Sequence, residues 1–125
     1  MAATEQRVEL SPRPTSAAEA RRVVARALRD LDTATREVGV LLASELVTNA
    51  LLYAQGRITL RITPHDDVVR VGVHDANDND VRPKQVSIEA TSGRGLALVE
   101  QLATAWGVDL DDDGGKEVWF EVPAS

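Results

Sequence analysis

The chain has 125 residues, which suits one domain built on one hydrophobic core. Its formal net charge of −6 disfavours direct nucleic acid binding, and its lack of cysteine excludes disulfides and thiolate metal sites. No apolar segment reaches the length of a membrane span, and 1–13 lacks the apolar core of a signal peptide, so we expect a cytoplasmic protein without membrane contact.

The N-terminal part of the chain predicts a short strand followed by a helix. The strand covers 4–10 and is broken by the proline-rich segment 11–14. Ser16 and Glu19 have the spacing of a capping box, in which each side chain satisfies a backbone N–H at the start of a helix. Apolar residues at helical spacing then predict a helix that ends near 30–32.

A second, longer helix is predicted next. Asp32 and Thr33 are favourable N-caps, the helix runs to about Tyr53, and Gly56 ends it. Val40, Val47 and Leu51 make this helix apolar on a second side as well. We expect the first helix to cover that side, the alternative being a dimer or partner interface.

Strands and a third helix complete the predicted elements. Apolar residues alternate with polar ones in 57–63 and again in 69–73, which predicts an antiparallel hairpin with its turn at 64–67. The pattern stops from Ala76 to Ser92, and a loop of this length usually has a function. A helix is predicted after Gly95, and then two strands carry the alternating apolar residues Trp106, Val108, Leu110, Val118, Phe120 and Val122. The order predicts an α+β two-layer sandwich, a mostly antiparallel sheet with about three helices on one face.

Two polar residues of the second helix fall within its apolar stripe. Glu45 and Asn49 lie four residues apart and are flanked by apolar residues of the same side: Val38, Leu41, Leu42, Leu52 and Tyr53. An unpaired buried carboxylate costs several kcal/mol, so something must compensate it. An arginine could pair with Glu45 and Asn49 could hold a loop, or a charged ligand could occupy a cleft beside both.

Two further features point to an anion or nucleotide site. The alternation of the second hairpin strand places Asp75 on its apolar face, where it either caps the strand end or binds a ligand. Gly93, Arg94 and Gly95 stand at the start of the third helix, where backbone N–H groups and the helix dipole favour phosphate. The sequence has no Walker motif, no complete EF-hand loop, no zinc-ligand set and no G-x-S-x-G elbow.

Taken together, these segments resemble the GHKL (Bergerat-fold) ATPases. Within that group, the chain resembles the small stand-alone anti-sigma factor serine-protein kinases of the RsbW and SpoIIAB type. The resemblance covers nearly the whole chain and rests on four sequence boxes in order: 44–50 (SELVTNA), Asp75, 92–96 (SGRGL) and 115–120 (GKEVWF).

The resemblance implies roles for particular residues. Asn49 would coordinate Mg²⁺ on the ATP phosphates, Glu45 would act as the catalytic base or position the attacking group, and Asp75 would accept a hydrogen bond from the adenine amino group. The segment 76–92 would be the ATP lid. The remaining nucleotide-binding residues implied are Asn77, Gly93, Arg94, Gly95, Leu96 and Lys116.

Three positions depart from the family pattern. Asn77 and Asn79 replace residues of the box after the aspartate, Glu117 stands where a threonine is frequent, and Tyr53 replaces a histidine. The change at Glu117 is expected to remove a hydroxyl near the nucleotide.

Three functions follow from this reading. The first is a regulatory switch that binds ATP and Mg²⁺, sequesters a sigma factor and phosphorylates an anti-anti-sigma (STAS-type) partner. A homodimer is the oligomeric state considered for it. The second is a module that binds nucleotide or partner without kinase turnover, which the departures favour. The third is an interaction protein that binds no nucleotide.

Overall fold

The computed structural model describes residues 5–11, 13–53, 57–76, 94–112 and 114–124. The elements in chain order are β1 (Gln6–Leu10), α1 (Ser16–Ala27), α2 (Thr33–Tyr53), β2 (Ile58–His65), β3 (Val68–Asp75), α3 (Arg94–Leu102), β4 (Ala105–Leu110) and β5 (Lys116–Pro123). The five strands form one sheet in the order β1-β2-β3-β5-β4, with every neighbouring pair antiparallel. The predicted α+β sandwich is confirmed. No helix in the described ranges is both long and apolar enough to cross a membrane.

The core lies between the sheet and the helices. Alternating residues of β2, β3 and β5 point to this inner face and are buried: Ile58, Leu60, Ile62, Val71, Val73, Val118, Phe120 and Val122. Helix α2 packs on β3 and β5 and also contacts α1 and α3. Its fully buried residues, Leu42, Ala43, Leu46 and Val47, join the same core. The expectation that α1 covers the second apolar side of α2 is confirmed, since Val47 is buried within the chain.

The start of α1 differs from the predicted capping box. Thr15 occupies the N-cap position and makes no side-chain cap hydrogen bond, while Ser16 is buried and its hydroxyl donates to the carbonyl oxygen of Ser11. The Ser16 side chain therefore fixes the preceding turn instead of capping the helix, so this prediction was wrong. Helix α1 also ends at Ala27, earlier than the predicted 30–32.

Other element boundaries are close to their predictions. The Thr35 backbone N–H donates to Asp32 Oδ1 over 2.8 Å, which confirms Asp32 as a cap of α2. Strand β2 continues through Pro64 to His65, so the hairpin turn is at 66–67 instead of 64–67, with Asp66 at a φ of 57°. Helix α3 begins at Arg94, two residues earlier than expected. Gly56 lies outside the described residues.

The outer face of the sheet is polar and closely packed. Trp119 of β5 lies over Gly107 of β4, and the Arg70 guanidinium stacks on the indole 3.8 Å from its ring centroid. Arg70 also donates two hydrogen bonds to Glu121, the shorter over 2.7 Å. A Cβ at Gly107 would lie 2.5 Å from Trp119 Cζ2, so the indole can lie flat only because position 107 has no side chain.

We expect Gly107→Ala to displace this indole and to lower the free energy of unfolding by about 1–3 kcal/mol, the usual cost of overpacking. Chemical denaturation followed by tryptophan fluorescence measures it. The matched control is the same change in a Trp119→Leu background, where the clash is relieved. There the loss of unfolding free energy caused by Gly107→Ala should be well below the loss in the wild-type background. Equal costs in both backgrounds would contradict this explanation.

Candidate functional site

Two charged side chains are buried side by side at one end of the sheet. β3 ends at Asp75, β5 begins at Lys116, and the antiparallel register pairs these two residues directly. Asp75 is 6% exposed and Lys116 is 7% exposed, and both lie on the helix-covered face, in phase with Val73 and Val118. Within the described ranges no other Asp, Glu, Lys or Arg is buried. A carboxylate and an ammonium group thus share a corner of the interior.

Burial and the neighbouring carboxylate have opposite effects on the pKa of Lys116. Removal from water lowers the pKa of its ammonium group, and the nearby Asp75 carboxylate acts in the opposite direction with the smaller effect. Burial thus has the larger influence on the pKa of Lys116, and its pairing with Asp75 the smaller one. This corner of the protein is one in which a polar ligand would be favourable.

The turn before β5 forms one wall of this corner. Gly114 has a φ of 97°, which glycine adopts without strain, and the Asp111 backbone N–H donates to the Gly115 carbonyl oxygen over 2.7 Å. A Cβ at Gly115 would lie 2.6 Å from the carbonyl oxygen of Asp75. The backbones at the end of β3 and the start of β5 therefore approach as closely as a residue without a side chain permits.

Glu45 and Asn49 lie on a third side of α2, between its buried face and solvent. Both residues are half-buried, whereas Leu41 and Leu52 on the same side are 40% and 68% exposed. The predicted position of Glu45 and Asn49 in the middle of a core-facing stripe was therefore inaccurate. They stand at the border of the core, where they are partly shielded from water and still reachable by a ligand.

The side-chain partners of these two residues are few. Asn49 Nδ2 is buried and has no hydrogen-bond partner among the described residues. Glu45 likewise makes no hydrogen bond or ion pair with the described part of the chain. The arginine partner considered for Glu45 is thus not found there. A buried amide N–H without a partner costs about 1–3 kcal/mol, which a ligand acceptor would recover.

A cavity at the end of the sheet opposite Asp75 shows where α2 begins. An apolar cavity of about 280 Å³ lies between the start of α2, the end of α3 and the end of β5; its lining is Ala34, Thr35, Val38, Leu102, Ala103, Thr104, Val122 and Pro123. Since the N-terminal end of α2 lies over the C-terminal end of β5, its C-terminal half, with Asn49, extends toward the start of β5. The first turn of α3 points the same way.

Several predicted site residues cannot be placed. Asn77 and Gly93 lie outside the described residues, as do residues 77–92 of the lid predicted over 76–92. The backbone of α3 is described from Arg94, but the side chains of Arg94 and Leu96 also lie outside the described part. The position of the predicted phosphate box therefore stays a prediction.

Glu117, expected near the nucleotide, faces away from it. Its carboxylate accepts a hydrogen bond from Arg61 Nη1 over 3.0 Å on the outer face, and a Cβ at Gly72 would collide with Glu117 Oε2. Burial raises the pKa of the Glu117 carboxyl group, and Arg61 opposes this. The alternation of β5 predicts this direction of the Glu117 side chain, because successive side chains of a strand point to opposite faces. If Val118 points inward, Glu117 must point outward and Lys116 inward. The departure at Glu117 therefore removes no group from the site.

The donor set is suited to a magnesium ion carried by a phosphate ligand. No group of three or more His, Asp or Glu side chains in the described ranges could hold a metal by itself. Mg²⁺ commonly keeps several waters and binds through substrate phosphates with one or two protein oxygens. Asn49 can supply such an oxygen, and its unpartnered Nδ2 can donate to a phosphate oxygen at the same time.

Comparison with known proteins agrees with this geometry. Residues 10–122 match the family model described as the histidine kinase-like ATPase domain. Because the match covers most of the chain, the protein belongs to this family of GHKL-type ATP-binding domains. A search of curated proteins finds no match.

Proposed function

We propose that this protein binds ATP with Mg²⁺ at the end of the sheet formed by Asp75 and Lys116, and that it is an anti-sigma factor with serine/threonine kinase activity toward an anti-anti-sigma partner. One observation carries the proposal: the buried, unpartnered Nδ2 of Asn49, on the half of α2 that extends toward the buried Asp75 and Lys116. Membership in a family of ATP-binding domains supports the nucleotide, and the four sequence boxes support the regulatory branch.

Each residue has a separate role in this proposal. Asp75 accepts a hydrogen bond from the exocyclic amino group of the base, and Asn49 holds the metal and a phosphate oxygen. When bound, Mg²⁺ neutralises charge on the phosphates. The N-terminus of α3 contributes backbone N–H groups and the positive end of its dipole on the phosphate side. The base and the phosphates thus bind to opposite parts of the same corner.

Glu45 is the proposed catalytic residue. It lies one helical turn before Asn49, half-buried and without a partner in the described chain, so its carboxylate is free to meet an incoming hydroxyl group. The serine or threonine oxygen of the partner forms a bond to the γ-phosphorus, and the bond from that phosphorus to the β,γ-bridging oxygen breaks to leave ADP. The hydroxyl proton passes to Glu45.

The same protein without kinase turnover remains the second candidate. It is supported by the Asn77 and Asn79 departures of the sequence, while Glu117 no longer supports it because its side chain lies on the outer face. A homodimer and binding of a sigma factor belong to the proposal through the resemblance alone. Incubation with ATP, Mg²⁺ and the cognate partner separates the two candidates, since only the kinase produces a phosphorylated partner.

Calorimetric titration with ATP tests the nucleotide and the metal together. We expect the wild type to bind ATP more tightly with Mg²⁺ than with EDTA. Asn49→Ala should weaken binding roughly tenfold in EDTA, where only its hydrogen bond to a phosphate oxygen is lost, and by more in Mg²⁺, where the contact with the metal is lost as well. Thr48→Ala, at the exposed neighbouring position, is the matched control and should behave as the wild type. Failure of the wild type to bind ATP would overturn the proposal.

A further inference from the structure

Lys116 is an unusual residue to find inside a small domain. Lysine side chains are rarely fully buried, since the long stem normally carries the ammonium group to water. At 7% exposure nearly all of this residue is covered. Its partner on the edge strand β4, Leu110, is by contrast 73% exposed, so the burial of Lys116 is not shared by its neighbour on that side.

Asp75 explains the position of Lys116 only in part. The two residues are direct partners across β3 and β5, where Cβ atoms are about 5 Å apart, so a donor and an acceptor stand next to each other on the inner face. Burial lowers the pKa of the Lys116 ammonium group, and the carboxylate of Asp75 offsets this only in part. An additional acceptor in this corner would make the arrangement favourable.

We propose that Lys116 is a second base-recognition residue of the ATP site, donating a hydrogen bond to the ring nitrogen next to the amino group that Asp75 accepts. The inference rests on the proposed function. A 6-aminopurine carries an amino donor on C6 and an acceptor at N1 on adjacent ring positions, so one edge of the base satisfies the carboxylate and the ammonium together. The selectivity of the site then comes from two neighbouring charges, not from Asp75 alone.

Two analogues of ATP that each lack one ring nitrogen test this contact. The 1-deaza analogue of ATP lacks the proposed acceptor, and 7-deaza-ATP keeps it, so the pair differs at the atom in question. For the wild type we expect 1-deaza-ATP to bind roughly tenfold or more weakly than 7-deaza-ATP, the effect of losing a charged hydrogen bond. In Lys116→Met, which keeps the apolar stem, this ratio should fall to within about twofold.

The control for Lys116→Met is Glu117→Gln, which changes the adjacent residue on the outer face. It should keep the wild-type ratio of the affinities for the two analogues. Equal binding of the two analogues by the wild type would overturn the role of Lys116 even if Lys116→Met failed to fold, and a Lys116→Met protein that still discriminates would overturn it too. If the wild type binds no ATP, the proposed function fails as well, which is a different result from binding without discrimination.

Discussion

Replacing Glu45 by glutamine should abolish transfer of phosphate to the partner while leaving ATP bound. The glutamine side chain has nearly the same size but cannot accept the hydroxyl proton. A positioned general base contributes typically 10²- to 10⁴-fold, so we expect a loss of at least about 100-fold in the rate of the chemical step. Since Glu45 is half-buried without a partner in the described chain, the change should disturb neither the fold nor ATP affinity by more than about threefold.

Single-turnover transfer from labelled ATP, with the protein in excess over the partner, measures this step without product release. Glu37→Gln is the matched control, because Glu37 is an exposed glutamate of the same helix. A Glu45→Gln protein as active as the wild type would refute the assignment of Glu45. A wild type that binds ATP and transfers no phosphate would instead favour the non-catalytic candidate.

Asp75→Asn should cost roughly 100-fold in ATP affinity. The substitution keeps the volume of the side chain, but it removes the charge that strengthens the hydrogen bond from the base, and it can turn an amide N–H toward the amino group. The position is 6% exposed, so water cannot replace the lost acceptor. Lys116 also loses the carboxylate that favours its charged form.

Calorimetry with ATP measures the loss, and thermal unfolding without nucleotide shows whether the variant remains folded. Asp109→Asn is the control, because Asp109 is exposed on β4 and paired in register with the outward Glu117. Unchanged ATP affinity in a folded Asp75→Asn protein would show that the base is read elsewhere. Equal losses in both variants would indicate an effect of net charge and not of a specific contact.

Much of the fold follows from local patterns in the sequence. The alternation of β2, β3 and β5 gave both the strands and their buried faces, and the cap at Asp32 gave the start of α2, because these signals depend on neighbouring residues. The order β1-β2-β3-β5-β4 did not follow, since β5 inserts between β3 and β4 and no local pattern specifies pairing at that distance along the chain.

Two predictions within α1 and α2 failed for tertiary reasons, namely the capping box and the core-facing position of Glu45 and Asn49. Ser16 and Glu19 have the spacing of a capping box, but the burial of Ser16 directs its hydroxyl to the carbonyl of the preceding turn. The apolar residues of α2 face α1, the sheet and α3, so helical spacing alone could not tell which side meets the core and which side borders the site. The sequence pattern therefore identifies Glu45 and Asn49 as unusual polar residues, but it does not predict what surrounds them.

The site was only partly visible in the sequence. Asp75 was predicted to be buried, and the structure confirms its burial. The sequence did not predict that Lys116 lies opposite Asp75, because the pairing of β3 with β5 joins residues about 40 positions apart. Only the family resemblance points to Lys116, and the pleat of the strand directs the neighbouring Glu117 to the outer face.

A Cβ at Gly115 would meet the carbonyl oxygen of Asp75 at 2.6 Å and Asp111 Oδ2 at 2.8 Å. A backbone carbonyl cannot rotate aside as a flexible side chain can, so any larger residue at 115 would have to push β5 away from β3. The absence of one methyl group therefore keeps the inward carboxylate and ammonium groups in register.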